Sequence, residues 1–158
     1  MPLKLGDVAP DFSLYSTDKQ LVTLSQYSGK PVLLLFFPQA FTSVCTAELC
    51  SVRDNLAQYN QMQTTVLGIS VDSIFTLNRF KEDQQLNFTL LSDFNKEASA
   101  AYGALYDEFV FGMKGVSKRS AFVVDPNGQI AYAEVLESAG DQPNFAAIQA
   151  ALAAQVPA

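Results

Sequence analysis

A long apolar run, closed by a proline and followed by a helical pattern, constrains the fold of this chain most strongly. Residues 32–37 read Val-Leu-Leu-Leu-Phe-Phe, which has the length and composition of a central strand buried on both faces. Pro38 ends that strand, because proline has no N–H to give to the ladder. Beyond Thr42 one apolar stripe has helical spacing: Cys45, Leu49, Val52, Leu56 and Tyr59. The sequence therefore predicts a helix that opens near Cys45, at the end of a buried strand.

The start of a helix is a chemically distinctive place for a cysteine. The unpaired N–H groups and the positive end of the helix dipole favour a thiolate over a thiol, and the thiolate is the reactive form. The chain contains no histidine, so activation would have to come from the helix terminus and from arginine or lysine rather than from a Cys–His pair. Position alone leaves a buried, unreactive packing cysteine as an equal alternative.

The rest of the chain alternates short strand patterns with helical patterns. Strands are predicted at residues 12–15, 21–24, 66–71, 90–93, 120–124 and 129–135, and helices at 74–84, 97–102 and from 143 towards 155. Asp72 and Ser73 mark the cap of the first of these helices, and Asp141 is the candidate cap of the last, with Pro143 in its first turn. Residues 104–117 lack a clear period and are predicted to form an ordered loop. This order of elements predicts an α/β fold with right-handed crossovers, a parallel core and hairpins at both ends.

Length and composition limit the number of domains and the kinds of partner that this protein can have. The chain has 158 residues, of which 49% are hydrophobic and 16% charged, so we expect a single domain over residues 1–158. The net charge of -6 argues against nucleic acid and against an anionic membrane surface as partners. No stretch resembles a signal peptide or is apolar enough to span a bilayer, which predicts a cytoplasmic location. Two cysteines do not make the disulfide framework of a small secreted domain.

A known family matches these features. Pro38, Thr42 and Cys45 fit the PxxxTxxC signature of the peroxiredoxins, which are thiol peroxidases with a thioredoxin-like fold. The resemblance extends over almost the whole chain, through residues 6–12, 91–93, 101–103 and 119–125. Around Cys45 the sequence is most similar to the alkyl hydroperoxide reductase E type, with the bacterioferritin-comigratory (Q) type second. The resemblance implies a thioredoxin-like fold, with a central mixed β-sheet flanked by helices, an N-terminal hairpin and a C-terminal helix, and it implies no cofactor or metal.

The resemblance gives three residues of the signature a role. Cys45 would be the peroxidatic residue, whose thiolate attacks a peroxide oxygen and becomes a sulfenic acid. Thr42 would form a hydrogen bond within the arrangement of thiolate and peroxide, although a threonine here also fits a plain helix cap. Pro38 would pack over the cysteine and limit access of water, in addition to ending the strand.

Two charged residues complete the site that the resemblance implies. Arg119 would lie beside the thiolate and stabilise negative charge on the divided peroxide, whereas the sequence alone fits a solvated strand end. Glu48 would orient that arginine, whereas the sequence alone fits an ordinary acidic residue in a first turn. Arg53 and Asp54 are interpreted as surface charges of the same helix. Three aromatic residues are candidates for an apolar entrance: Phe41, Phe109 and Phe111.

Cys50 either takes part in the catalytic cycle or is only a helix thiol. Its simplest interpretation is a helix thiol without a catalytic part. On an ideal helix the Cα atoms of Cys45 and Cys50 lie about 8.6 Å apart, beyond the range of about 4.4–6.8 Å that a disulfide needs. We expect Cys50 to resolve the sulfenic acid as an intramolecular disulfide after the helix unwinds locally. The alternative is a one-cysteine peroxidase that forms a mixed disulfide with an external thiol.

The same residues also bear on alternative functions and on the expected partners. A general thiol–disulfide oxidoreductase is disfavoured because the chain lacks CxxC, and a zinc site is disfavoured because two thiolates without histidine leave ligands missing. A non-catalytic scaffold stays open, since fold does not establish activity. The expected partners are hydrogen peroxide or organic hydroperoxides and a thioredoxin- or glutaredoxin-like reductant, and a homodimer is a family expectation.

Overall fold

One mixed sheet organises the molecule. The computed structural model describes residues 3–138 and 140–155. Seven strands form a single sheet in the order β2-β1-β5-β4-β3-β6-β7. The strands are β1 (Ser13–Ser16), β2 (Leu21–Thr23), β3 (Val32–Phe36), β4 (Thr65–Ser70), β5 (Thr89–Ser92), β6 (Ser120–Val124) and β7 (Ile130–Val135). Strands β3, β4 and β5 are parallel, and the remaining pairings are antiparallel. The predicted mixed sheet with an N-terminal hairpin is confirmed.

The helices cover both faces of this sheet. They are α1 (Ser43–Asp54), α2 (Leu56–Gln61), α3 (Ile74–Gln84), α4 (Glu97–Ala101) and α5 (Phe145–Ala153). All five residues of β3 are buried, as its continuous apolar run predicts. Leu33 and Leu35 face the core beneath α1, α3 and α5, whereas Leu34 and Phe36 face the core that contains Tyr102 at the end of α4. The period-2 alternation of a strand thus divides one apolar run between two cores.

The structure corrects two predicted helix boundaries. The stripe from Cys45 to Tyr59 is not one helix, because α1 ends at Asp54 and α2 begins after Asn55. The last helix is capped by Asn144, whose side chain accepts a hydrogen bond from the Ala147 N–H, and not by Asp141. Pro143 therefore precedes this helix. The cap of α3 is Ser73, as predicted, and it accepts a hydrogen bond from the Thr76 N–H.

The predicted loop of residues 104–117 is mostly irregular. It contains a single 3-10 turn at Val110–Gly112 and one isolated bridge between Leu105 and Ser117. Within the described ranges, no helix is both long and apolar enough to cross a membrane.

Strand direction brings three chain segments together at one edge of the sheet. Strand β3 runs parallel to β4 and antiparallel to β6, and Phe36 pairs with Ile69 on one side and with Ser120 on the other. The carboxyl ends of β3 and β4 therefore meet the amino end of β6. The residues that follow Phe36, those that follow Ser70 and those that precede Ser120 all reach this edge.

Candidate active site

Cys45 lies in the first turn of α1 and is fully buried. Thr42 is the N-cap, and the first intrahelical bond runs from the Thr46 N–H to the Thr42 carbonyl. The Cys45 N–H is thus among those without an intrahelical partner, at the positive end of the helix dipole. Cys45 and Leu49 are both 0% exposed, because their stripe faces the sheet. The structure places the thiol where the helical pattern predicts it.

Arg119 links the thiol to a buried carboxylate. It directly precedes β6, and its side chain is 1% exposed. Its Nη2 donates to Cys45 Sγ at 3.2 Å, and its Nη1 donates to Glu48 Oε1 at 2.5 Å. The interpretation of Arg119 as a solvated strand end is therefore wrong. One guanidinium contacts two acidic groups at once, which its rigid fork of donors allows.

Glu48 is buried on the inner face of α1, one turn after Cys45. Its side chain is 0% exposed, so it is not an ordinary acidic residue of a solvated first turn. Burial raises the pKa of Glu48 from its ordinary 4.5 to about 7, against the charge and the hydrogen bond of Arg119, which lower it. Burial lowers the pKa of Arg119, but the attraction of Glu48 and Cys45 outweighs it and leaves that pKa above its ordinary value. Arg119 thus stays charged beside both groups.

A strained loop connects β3 to α1. Pro38 is buried, and Phe41 has a φ of 69°, which is costly for a bulky residue. The Phe41 ring packs edge-to-face on Phe80, with ring centroids 5.1 Å apart. The Thr42 hydroxyl donates to the Gln39 carbonyl at 2.9 Å and makes no side-chain cap, which corrects the interpretation of this side chain as a helix cap.

An open cleft of about 370 Å³ lies at this loop. Its lining residues are Pro38, Gln39, Thr42, Ser43, Val44, Phe109, Val110, Phe111, Met113, Arg119 and Gly140. Pro38, Thr42 and Arg119 thus share one cleft, as the resemblance implies. Phe109 and Phe111 line it, and Phe111 is 98% exposed. Phe41 does not belong to the lining, because its ring turns towards Phe80.

Cys50 lies on another side of α1, away from the cleft. The helix is continuous through both cysteines, and each is a free thiol. Cys50 is partly buried, and its thiol donates to the Gln84 side chain at 3.5 Å. Arg53 donates to the Gln84 carbonyl at 2.5 Å and pairs with Asp54. Arg53 therefore ties α1 to the end of α3 rather than contacting Glu48.

Three residues near this site were not predicted to take part in it: Asp72, Gln39 and Met113. Asp72 was interpreted only as the boundary between β4 and α3, but its carboxylate accepts a hydrogen bond from the Ala40 N–H in the loop before α1. Gln39 donates to the Met113 sulfur at 3.1 Å, which joins this loop to the segment of residues 104–117. A signal for Asp72 was present, because the carboxyl ends of parallel neighbouring strands meet at one edge.

Comparison with known proteins identifies the family of this chain. Residues 5–133 match the AhpC/TSA family. The chain is 40% identical over 131 residues to peroxiredoxin Bcp of Escherichia coli, covering 82% of this chain and 83% of the relative. It is also 40% identical over 136 residues to alkyl hydroperoxide reductase E of Mycobacterium bovis, covering 84% and 86%. Both types named by the resemblance are therefore found among its relatives.

The fold is shared with solved structures of the same kind. The crystal structure of peroxidoxin BcpB from Mycobacterium tuberculosis superposes with a TM-score of 0.85 at 29% identity, covering 96% of this chain and 97% of that one. The similarity therefore extends over nearly the whole length of both chains. The chain therefore belongs to the AhpC/TSA family and is a peroxiredoxin, a thiol-dependent peroxidase.

Proposed function

We propose that Cys45 is the peroxidatic residue and that the cleft beside it binds the peroxide. The observation that supports this most directly is the contact of 3.2 Å between Arg119 Nη2 and Cys45 Sγ. A permanently charged guanidinium at this distance favours a thiolate, and the helix terminus adds to the effect. Thr42, Pro38 and Arg119 line this cleft, and Arg119 contacts the buried sulfur directly, so a peroxide in the cleft would lie beside the groups that surround Cys45.

The chemical step transfers one oxygen atom to sulfur. The Cys45 thiolate attacks one oxygen of ROOH, the S–O bond forms and the O–O bond breaks, which leaves a sulfenic acid and an alkoxide that takes up a proton as ROH. Arg119 stabilises the negative charge that moves to the leaving oxygen. The Thr42 hydroxyl donates to a backbone carbonyl, so its oxygen lone pairs are free to accept a hydrogen bond from the peroxide. Glu48 holds the guanidinium in place, and Pro38 restricts water.

The lining of the cleft supports organic hydroperoxides as substrates beside hydrogen peroxide. Phe109, Val110, Phe111 and Met113 form one side of it, and such side chains favour an apolar group by burying its surface. A relative with 40% identity is named alkyl hydroperoxide reductase E. We propose that the alkyl part of the substrate contacts these residues.

Cys50 is proposed as the resolving cysteine. Its thiolate attacks the Cys45 sulfenic acid, the S–S bond forms, the S–O bond breaks and water leaves with the thiol proton. Because α1 is continuous through both residues, the helix has to open first. Opening detaches Cys50 from Gln84 and exposes Leu49, which is a local cost that helix ends can meet. A thioredoxin- or glutaredoxin-like protein would then reduce the disulfide in the cytoplasm, and a homodimer is the proposed assembly.

Replacement of both cysteines in turn tests these roles. Cys45→Ser is expected to abolish peroxide consumption without unfolding the chain, because serine supplies no comparable nucleophile. Intact mass and free-thiol count after one equivalent of peroxide should show loss of two thiols and two hydrogens in the parent. The same treatment of Cys50→Ser should leave a sulfenic or sulfinic acid on Cys45. Parent-like turnover by Cys45→Ser would refute the assignment, whereas a free Cys50 in the oxidised parent would refute only the resolving role.

A further inference from the structure

The loop between β3 and α1 is attached to the neighbouring strand by one carboxylate. Asp72 Oδ2 accepts a hydrogen bond from the Ala40 N–H at 2.8 Å. The same oxygen accepts from the Ser70 hydroxyl at 2.7 Å, and the Asp72 carbonyl accepts from the Ser92 hydroxyl at 2.5 Å. Asp72 is therefore held by β4 and β5, and it holds residue 40 of the loop in turn.

A single peptide unit connects this carboxylate to Thr42. The Ala40 N–H and the Gln39 carbonyl belong to the same planar peptide group, in which they point in opposite directions. The N–H donates to Asp72, and the carbonyl accepts from the Thr42 hydroxyl at 2.9 Å. Fixing the N–H therefore fixes the carbonyl, and the carbonyl sets the direction of the Thr42 hydroxyl.

Charge reinforces this geometry. A hydrogen bond to a carboxylate is shorter and stronger than one to a neutral acceptor. It polarises the peptide group, which makes the carbonyl oxygen on the other side a better acceptor. The Thr42 O–H is thereby held in its hydrogen bond to the Gln39 carbonyl, and the lone pairs of the Thr42 oxygen stay available to the cleft.

The backbone shows why the loop needs such an anchor. Phe41 lies between Ala40 and Thr42 with a φ of 69°, a strained conformation for a bulky residue that persists only where its surroundings impose it. The contact of Phe41 with Phe80 stabilises one side of this residue. The hydrogen bond from Ala40 to Asp72 stabilises the other side.

We infer that Asp72 is a positioning residue of the peroxidase reaction, which acts through the peptide of Gln39 and Ala40 to orient the Thr42 hydroxyl towards the peroxide. The inference rests on the proposed role of Thr42. Asp72 itself does not line the cleft, so its effect on the rate passes through the loop.

The test measures the second-order rate of Cys45 oxidation by hydrogen peroxide in the full chain. Thr42→Val is expected to lower this rate by about 100-fold, and Asp72→Ala by between about 10-fold and 100-fold, since small misplacements of a reacting group have effects of this size. Asp72→Asn keeps an acceptor oxygen and should stay within a few-fold of the parent. Asp83→Ala, at an exposed ion pair of α3, is the matched control and should be unchanged.

A double-mutant cycle separates positioning from general damage. If Asp72 acts through Thr42, Asp72→Ala should slow the parent but scarcely slow Thr42→Val, because the two changes remove the same interaction. Equal slowing in both backgrounds would show a merely structural role and overturn the inference. Asp72→Leu, similar in shape and without an acceptor, replaces Asp72→Ala if that variant does not fold.

Single variants distinguish the inference from the function on which it rests. A parent-like rate in Thr42→Val would refute the role proposed for Thr42 and the inference with it. A slow Thr42→Val beside a parent-like Asp72→Ala would overturn the inference alone. A Cys45→Ser variant that still consumed peroxide would overturn the proposed function as a whole.

Discussion

Removal of the Arg119 guanidinium is the sharpest test of the electrostatics of this site. Arg119→Met keeps much of the length of the side chain and removes its hydrogen bonds to Cys45 Sγ at 3.2 Å and to Glu48 Oε1 at 2.5 Å. At 3.2 Å, two unit charges attract by about 5 kcal/mol at an effective dielectric constant of about 20. The net effect is smaller because the charges also lose solvation.

The expected loss in kcat/KM for hydrogen peroxide is between about 100-fold and 1,000-fold. This range corresponds to about 2.7–4 kcal/mol, the usual effect of removing one donor that stabilises transition-state charge. Stopped-flow oxidation of Cys45 by hydrogen peroxide gives the rate, with Cys45→Ser as the blank.

Stability supplies a second, independent signature of the same change. Without Arg119, both influences that lower the pKa of Glu48 disappear, so this pKa rises above about 7. A raised folded-state pKa of an acid means that stability is present at low pH and lost as pH rises towards the folded-state value. Urea unfolding of Arg119→Met should therefore weaken more steeply above neutral pH than that of the parent.

Two matched variants make the test decisive. Arg119→Lys keeps the charge but cannot contact both acidic groups with a rigid fork, and its rate should lie between those of the parent and Arg119→Met. Arg79→Met, which alters an exposed ion pair of α3, should leave the rate unchanged. A folded Arg119→Met that reacts with peroxide at the parental rate would refute the reasoning.

Four further outcomes are expected. The unfolding free energy of the parent should fall by about 3 kcal/mol more than that of Glu48→Gln between pH 4.5 and about pH 8, because the folded-state pKa of Glu48 is about 7 against an ordinary 4.5. Urea unfolding at both pH values measures this difference. An equal change in the two proteins would contradict the reasoning. Gly68→Ala should destabilise the fold by about 1–3 kcal/mol, because its Cβ would lie 2.7 Å from the Leu90 side chain, while kcat/KM measured on folded protein stays unchanged. Cys50→Ser should accumulate sulfinic acid on Cys45 faster than the parent under excess peroxide, as intact mass shows. Phe111→Ala should raise KM for a bulky alkyl hydroperoxide and leave that for hydrogen peroxide unchanged; equal effects on both substrates would place the alkyl group elsewhere.

Local patterns were sufficient to predict much of the fold. The apolar run before Pro38 predicted a strand buried on both faces, and β3 has no exposed residue. The helical spacing after Thr42 predicted that Cys45 faces the core, and the Ser73 cap predicted the start of α3. These features depend on residues close together in the chain, so propensity and period express them directly. The family and the type of enzyme came from a resemblance, and the comparisons confirm both; the roles of the signature residues stay predictions.

Tertiary structure decided the features that depend on distant residues. Arg119 and Glu48 lie 71 positions apart in sequence, and the antiparallel pairing of β3 with β6 brings them together in a buried site where their charges interact strongly. Strands that end at one edge of the sheet also bring together Arg119 and Cys45, which are 74 positions apart, and Ala40 and Asp72, which are 32 positions apart. A charged residue has the same local pattern on a solvated face as in such a site. Only the packing of α1 against the sheet distinguishes the two, because burial is a property of the assembled core.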